Sequence, residues 1–296
     1  MAKIISEDLT NNNLRVLCYT TTDGQMLSIK PDSFDAKIVA HTYTDIGRII
    51  FGMPITKIHD YTFYDCPILT SITIPDSVTM IGERAFSLCE SLTSVTIGNG
   101  VTTIGESAFE RCRKLTSVII GDSVTTIGFG AFSYCTSLTS VTIPDSVTTI
   151  GELAFYGCSS LNSVTMPAIA ISYVPKENLK TVVITSGEIP SLAFYGCSSL
   201  ESITISDSIT SIGDNAFNGC SSLSSVIMPA KAIPYIALNE TLEKVVITSG
   251  VYIHEYAFWN CGSLKSVTIE DGVTIIGNYA FENCNSLTSI TIPNSV

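Results

Sequence analysis

The sequence predicts a β-rich solenoid, with parallel strands on one face of its coils and short helical turns on the other. Three observations lead to this prediction. The stretch AFYGCSSLNSVTM, at residues 154–166, recurs with small changes along the 296-residue chain. Most copies start 23 residues apart, and a fixed period in this range is typical of solenoids. Each copy joins a short run with Phe and Cys to a strand-like run of alternating apolar and Ser/Thr residues.

A phenylalanine, a cysteine three positions later and a leucine three positions after that mark every copy. The cysteines are Cys66, Cys89, Cys112, Cys135, Cys158, Cys197, Cys220, Cys261 and Cys284. We interpret them as small buried residues stacked in a ladder, because free cysteine packs well as a small hydrophobe. Disulfide bonds are the alternative, although side chains that point in parallel from neighbouring coils suit an S–S bond poorly. The paired Cys/His spacing of a zinc site is absent from the sequence.

Twelve segments share the frame LxxVxI or a close variant of it, in which the first, fourth and sixth residues are apolar. They are residues 46–51, 69–74, 92–97, 115–120, 138–143, 161–166, 179–184, 200–205, 223–228, 242–247, 264–269 and 287–292. The frame is the strand signature of a leucine-rich repeat, in which these three side chains point inward. We therefore expect parallel strands that share hydrogen bonds from coil to coil.

After each strand comes a turn, a second extended piece, a glycine and a segment that contains the Phe and Cys. We predict one or two helical turns in this last segment, for example at 152–158. An acidic residue recurs at its start, where it would favour the helix dipole. These acids are Glu83, Glu106, Glu152 and Asp214. A calcium site is the alternative interpretation, but no Asp-rich loop supports it.

Residues 1–45 depart from the repeat and predict an N-terminal β-hairpin cap. A strand at 14–19, a turn at 21–24 and a returning strand at 26–29 would form the hairpin. A third strand is expected at 38–43. A cap of this kind would cover the open end of the first coil.

Residues 46–296 predict a leucine-rich-repeat solenoid of about 11 coils. Two coils, at 167–184 and 229–247, are shortened and lack the Phe–Cys segment. In its place stand two similar inserts, MPAIAISYVP at 166–175 and MPAKAIPYIA at 228–237. They should change the curvature locally. The sequence ends in mid-coil, after its last strand. We therefore expect either that the chain is a fragment of a longer protein or that the exposed edge of this strand makes an end-to-end contact with a partner.

Composition excludes several classes of partner. The net charge is −12 and only 14% of the residues are charged, which argues against nucleic acid and anionic membranes. The chain has no apolar run long enough to insert in a membrane. Its first residues lack the apolar core of an export signal.

No catalytic or cofactor motif is found, so we expect a protein that is not an enzyme and needs no metal or cofactor. The three histidines are His41, His59 and His254. The last two stand four residues before an anchor phenylalanine, where most copies have glycine. We interpret them as turn residues; metal binding or proton transfer is the alternative.

Two surfaces are candidates for binding a protein partner. The outward strand positions are mostly Ser and Thr, and the charged exceptions are Lys180, Glu201, Glu243, Lys244 and Lys265. Aromatic residues directly after the anchor phenylalanine form the second surface, because exposed aromatic side chains can be binding hot spots. They include Tyr156, Tyr195 and Trp259.

The repeat AFxxCxSLTSVTIPDSVTxIGExAF and the segment YTTTDG at 19–24 resemble the BspA-type leucine-rich-repeat proteins of bacteria. The resemblance covers almost the whole chain. It implies a right-handed solenoid, a location at the cell surface or outside the cell, and adhesion to host matrix proteins or other cells. It implies no catalytic residues. A purely structural spacer that displays another domain is the alternative function.

Overall fold

The computed structural model of the chain describes residues 15–236 and 241–296. The chain forms two compact units. The first unit comprises Met1–Leu161 and Tyr173–Pro175, and the second comprises Asn162–Ser172 and Lys176–Val296.

The first unit consists of β-strands and turns. Its strands are β1 (Val16–Thr21), β2 (Ile38–Tyr43), β3 (Gly47–Phe51), β4 (Lys57–Ile58), β5 (Leu69–Ile74), β6 (Met80–Ile81), β7 (Ser94–Ile97), β8 (Thr103–Ile104), β9 (Ser117–Ile119), β10 (Thr126–Ile127), β11 (Ser140–Thr142) and β12 (Thr149–Ile150). A 3-10 helix spans Pro31–Ser33. The order β2-β3-β1-β5-β7-β9-β11 forms a large sheet, and β4, β6, β8, β10 and β12 form a second, parallel sheet. From β5 onward neighbouring strands of the large sheet are parallel and pair residues 23 apart, such as Ser94 with Ser117.

The N-terminal strand pairs differently from the predicted hairpin. Strand β1 is antiparallel to β3 on one side and to β5 on the other. Residues 26–29, predicted as the returning strand, form no strand. The reason is that both edges of β1 are already occupied. Leu27 instead is buried, and its N–H donates to the Tyr19 hydroxyl at 3.2 Å.

The second unit repeats the same construction. Its strands are β13 (Ser163–Met166), β14 (Thr181–Ile184), β15 (Gly187–Ile189), β16 (Ser202–Ile205), β17 (Ile209–Ile212), β18 (Ser225–Met228), β19 (Lys244–Ile247), β20 (Tyr252–Ile253), β21 (Ser266–Ile269), β22 (Ile275–Ile276) and β23 (Ser289–Thr291). The large sheet has the order β13-β14-β16-β18-β19-β21-β23, and β15-β17 and β20-β22 form parallel pairs. These strands confirm the solenoid fold and its strand frames.

The two inserts shorten their coils without breaking the strand register. Ser163 of β13 pairs with Thr181 of β14, and Ser225 of β18 pairs with Lys244 of β19. The first insert forms a 3-10 helix, Ala168–Tyr173. The second forms a 3-10 helix, Ala230–Ala232, followed by the short helix α1, Ile233–Ile236. The inserts therefore replace the Phe–Cys segment with compact helical turns.

The core of each unit consists of columns of identical residues. The anchor phenylalanines stack face to face, with ring centroids 5.0 Å apart for Phe86 and Phe109 and 5.6 Å apart for Phe194 and Phe217. All ten cysteines are thiols. The Cys112 thiol donates a hydrogen bond to the Phe86 carbonyl at 3.2 Å. Cys89, Cys135 and Cys220 donate in the same way to the phenylalanine carbonyl of the preceding coil. The predicted cysteine ladder is therefore confirmed.

The segment that contains Phe and Cys forms turns rather than the predicted helix. Residues two before and two after the phenylalanine have a left-handed backbone, with φ of 49° at Arg84 and 64° at Leu88. The N–H groups of Arg84, Phe86 and Leu88 donate to carbonyls of the next coil at 2.8–2.9 Å. In a helix these N–H groups would donate to carbonyls of the same segment, whereas here they donate to carbonyls of the neighbouring coil. The acids before the phenylalanine therefore do not start a helix; the Glu83 carboxylate accepts from the Tyr61 hydroxyl at 2.7 Å.

Candidate functional site

Five charged residues of the second unit lie on the outward side of its large sheet. We call this set the charged row: Lys180, Glu201, Glu243, Lys244 and Lys265. Four of its members directly precede strands β14, β16, β19 and β21, and Lys244 is the first residue of β19. All five are exposed. The structure thus places Lys180, Glu201, Glu243 and Lys265 at one exposed position of the repeat and Lys244 at the position that follows it.

Coil register brings four of these residues into ion pairs. The Lys180 ammonium lies 2.8 Å from the Glu201 carboxylate, and Lys265 lies 2.7 Å from Glu243. The hydrogen bond to Glu201 raises the pKa of Lys180 above its ordinary value. Exposed pairs of this kind contribute little to the stability of the fold.

The equivalent position in the first unit is occupied by threonine. These residues are Thr70, Thr93, Thr116 and Thr139. Each later hydroxyl donates to the carbonyl of the preceding threonine, at 2.9 Å for Thr93 and 3.1 Å for Thr116. The threonine hydroxyls therefore link neighbouring coils by hydrogen bonds. Charged side chains at this position in the second unit make no such bond and project from the sheet.

Lys244 differs from the rest of the charged row. Its neighbours on the adjoining strands are Ser225 and Ser266. Within residues 15–236 and 241–296 it has no ion-pair partner. The Lys244 side chain is therefore exposed between these two serines.

The predicted aromatic surface is not continuous. Tyr156 belongs to the first unit, where its ring meets the edge of Tyr134 at 5.4 Å. Tyr195 and Trp259 belong to the second unit and are 62% and 50% exposed. Asn218 occupies the same repeat position between them. The structure therefore does not join Tyr195 and Trp259 into a single aromatic row.

The histidines that replace glycine have a structural explanation. A Cβ atom on Gly128 would lie 2.6 Å from the backbone of Gly105 in the preceding coil, and Gly105 abuts Gly82 in the same way. His59 and His254 follow the N-terminal strands and the second insert, whose sequences lack the Phe–Cys segment and the glycine before it. This agrees with their interpretation as turn residues. No three His, Cys, Asp or Glu residues are grouped for metal binding in the described part of the chain.

A cavity beside the second insert was missed by the sequence analysis. It has a volume of about 660 Å³ and is lined by residues of segment 214–221 on one side and by Pro234, Tyr235, Ile236 and Thr241 on the other. The missing Phe–Cys segment predicted a break in the repeat at this place. It did not predict the cavity, because the path of the insert is set by its packing.

Comparison with known proteins supports the repeat fold. A family model described as the BspA-type leucine-rich repeat region matches the chain in six copies, over residues 56–177, 172–245 and 187–296. No curated protein sequence matches the chain. No helix in the described ranges is long and apolar enough to cross a membrane.

Several solved structures are similar to this chain. The leucine-rich repeat protein of T. pallidum is 27% identical, with 69% of this chain and 90% of that one covered and a TM-score of 0.43. A leucine-rich repeat protein from Bacteroides ovatus ATCC 8483 is 24% identical, with 92% and 87% covered and a TM-score of 0.37. TLR13 in its complex with ssRNA13 is 16% identical, with 75% and 35% covered and a TM-score of 0.57. The last likeness concerns the fold alone.

Proposed function

The chain belongs to the BspA-type leucine-rich-repeat family, and we propose that it is a non-enzymatic adhesion module that binds a partner protein at the cell surface or outside the cell. The family supports a protein-interaction or surface-repeat role in general. Adhesion to host matrix proteins or to other cells is the specific form that we propose.

The charged row is the observation that carries this proposal. The outward position that holds threonine in the regular coils of the first unit holds Lys180, Glu201, Glu243 and Lys265 in four frames of the second. The ion pairs between them are exposed and add little to folding. Charges arranged in this way set the orientation and specificity of a protein complex more than its total affinity.

The row also indicates the chemistry of the partner. The row carries both signs in two Lys–Glu pairs, and Lys244 adds a positive charge that has no ion-pair partner among the described residues. We therefore expect a protein surface with both charge signs and a carboxylate opposite Lys244. Nucleic acid is a poor fit, because the chain carries a net charge of −12.

A structural spacer is the second candidate function. The threonine ladder of the first unit supports it, since its hydroxyls are used in coil-to-coil hydrogen bonds. A spacer would need a regular, stable array and no binding row. The charges of the second unit have no role in that function.

Surface plasmon resonance against a panel of purified extracellular-matrix proteins tests the proposal. The test variant combines Lys180→Ala, Glu243→Ala and Lys244→Ala. A matched control combines Lys57→Ala, Glu90→Ala and Lys114→Ala, which removes the same charges from exposed positions outside the row. We expect the test variant to bind at least tenfold more weakly and the control to bind as the wild type does.

The outcomes separate the two functions. Equal loss of affinity in both variants would exclude the charged row as the binding surface. If the wild-type protein binds no member of the panel, the spacer is favoured and the adhesion proposal is rejected for matrix proteins.

A further inference from the structure

The cavity beside the second insert, which we call the insert cavity, has the dimensions of a ligand site. Its volume of about 660 Å³ falls within the range of about 300–1,000 Å³ found for ligand pockets. One wall is the turn segment 214–221, and the other is formed by Pro234, Tyr235, Ile236 and Thr241. The Tyr235 side chain is 41% exposed. The cavity therefore combines a backbone wall with an aromatic and apolar wall.

The hydrogen bonds between regular coils show which groups the backbone N–H donors of this segment normally bind. In the preceding coil, the N–H groups of Leu192, Phe194 and Gly196 donate to three alternate main-chain carbonyls of the next coil. The acceptors are the carbonyls of Asp214, Ala216 and Asn218, at 3.0, 2.7 and 2.8 Å. This row of three donors is thus built to hold a polypeptide main chain.

The same donors are open at the insert cavity. Asn215, Phe217 and Gly219 occupy the positions of Leu192, Phe194 and Gly196 one coil later. Their N–H groups have no hydrogen-bond partner in residues 15–236 and 241–296. The physical reason is that the second insert lacks the segment whose carbonyls would accept them.

The geometry of the donor row is kept although its acceptors are missing. Asn215 has a φ of 54° and Gly219 a φ of 78°, the left-handed values that the equivalent residues have in regular coils. All three donor residues line the cavity. Backbone N–H groups held in this way form a ready binding site for oxygen acceptors.

We propose that the insert cavity binds a short peptide segment of a partner protein through its main-chain carbonyls. Alternate carbonyls of the peptide accept from Asn215, Phe217 and Gly219. One peptide side chain packs against Tyr235 and Ile236. The peptide takes the place that the missing Phe–Cys segment has in a regular coil.

Charge favours carbonyl oxygens over an anionic ligand. Asp214 lines the cavity, and the whole chain has a net charge of −12. Both features disfavour a carboxylate or a phosphate. A neutral or basic peptide meets no such repulsion, so the bound segment is expected to lack acidic residues.

Amide hydrogen exchange followed by NMR tests the donor row in the unmodified protein. We expect the amides of Phe217 and Gly219 to exchange at least tenfold faster than those of Phe194 and Gly196. Equal protection of the two pairs in the ligand-free protein would overturn the proposal, because the donors would already be bonded.

Peptide binding is tested with a phage-displayed random heptapeptide library. An enriched peptide is synthesised with neutral ends, and its affinity is measured by calorimetry. Binding should slow exchange at Phe217 and Gly219. Failure to enrich any peptide, or equal protection of these amides by acetate alone, would contradict a peptide site.

Two matched variants locate the binding. Ser221→Trp places an indole at the cavity wall, whereas Ser198→Trp makes the same change in the identical sequence GCSSL one coil earlier. We expect Ser221→Trp to weaken peptide binding at least tenfold and Ser198→Trp to leave it unchanged. Equal affinity in both variants would place the peptide elsewhere.

This site is separate from the charged row, so the two tests are independent. The variant with Lys180→Ala, Glu243→Ala and Lys244→Ala should keep its affinity for the peptide. Loss of peptide binding in that variant would show that the peptide occupies the charged row and would reject the insert cavity as its site.

Discussion

At the scale of residues, the turn segments depend on left-handed backbone positions. Each regular segment has two, and Gly157, Gly196 and Gly219 occupy the second in their coils. At other such positions the chain has residues with side chains, including Leu192 with a φ of 59°. A side chain in this conformation costs about 1–2 kcal/mol. In regular coils the N–H groups at these positions bond to the next coil, as those of Leu192 and Gly196 do.

Leu192→Gly is therefore expected to stabilise the protein by about 0.5–1 kcal/mol. Glycine removes the left-handed strain, and its greater freedom in the unfolded chain offsets part of the gain. The Leu192 side chain is 55% exposed, so little packing is lost. Denaturant unfolding measures the change. Ser191→Gly, one residue earlier at a position without positive φ, should destabilise, and a loss of stability in Leu192→Gly would contradict the explanation.

At the scale of elements, close packing of successive turns determines where glycine is needed. Gly82, Gly105, Gly128 and Gly151 form a column in which each abuts the backbone of the coil before it. His254 occupies the same repeat position after an insert and is exposed. The requirement for glycine thus comes from the preceding coil and not from the local turn.

Gly128→Ala is expected to destabilise the protein by about 1–3 kcal/mol, the range for overpacked sites. The added methyl group would lie 2.6 Å from the Gly105 carbonyl carbon. His254→Ala is the matched change at a coil without that neighbour and should change stability by less than about 0.5 kcal/mol. Thermal and denaturant unfolding compare the two. A mild effect at Gly128 would show that the coils have room to separate.

At the scale of the whole molecule, the cysteine ladder links stability to pH. Burial raises the pKa of the ladder thiols above the ordinary value of 9.0, to about 11 for Cys261 and about 12 for Cys158 and Cys220. Cys112 and Cys135 are fully buried, and burial raises their pKa well above the ordinary value. In the unfolded chain each thiol has its ordinary pKa. Below pH 9 both states keep the proton, and above it the unfolded state loses the proton first.

Stability is therefore expected to fall as the pH rises from 9 through the native pKa values. Each fully buried thiol contributes about 1.4 kcal/mol per pH unit in that window. Replacing Cys112 and Cys135 by alanine should reduce the slope by about 2.7 kcal/mol per pH unit. Denaturant unfolding between pH 8 and pH 11 measures it.

Val118→Ala is the control for this slope. It removes buried volume without a titrating group, so it should lower stability equally at every pH. An unchanged slope in the double cysteine variant would mean that the thiols ionise alike in both states.

Repetition allowed much of the fold to be predicted from the sequence. The identity and spacing of Phe109, Cys112 and Leu115 determine which side chains are buried, because equivalent residues stack on one another in successive coils. The eleven frames from 69–74 onward all contain a parallel strand. The positions of the charged row were also predicted, since side chains alternate between the two faces of a strand.

Contacts between coils determine the structural features that could not be predicted from the sequence. The pairing of β1 depended on which strand edges were free, and the turn conformation at Phe86 depended on acceptors in the next coil. The pairing of Lys180 with Glu201 follows from strand register across a gap of 21 residues. The insert cavity lies where the second insert replaces the Phe–Cys segment, beside three donors that have no acceptor among the described residues. Local patterns determine which face a residue occupies, whereas its hydrogen-bond and ion-pair partners come from the neighbouring coil, about one repeat away in the sequence, and only the tertiary structure brings them together.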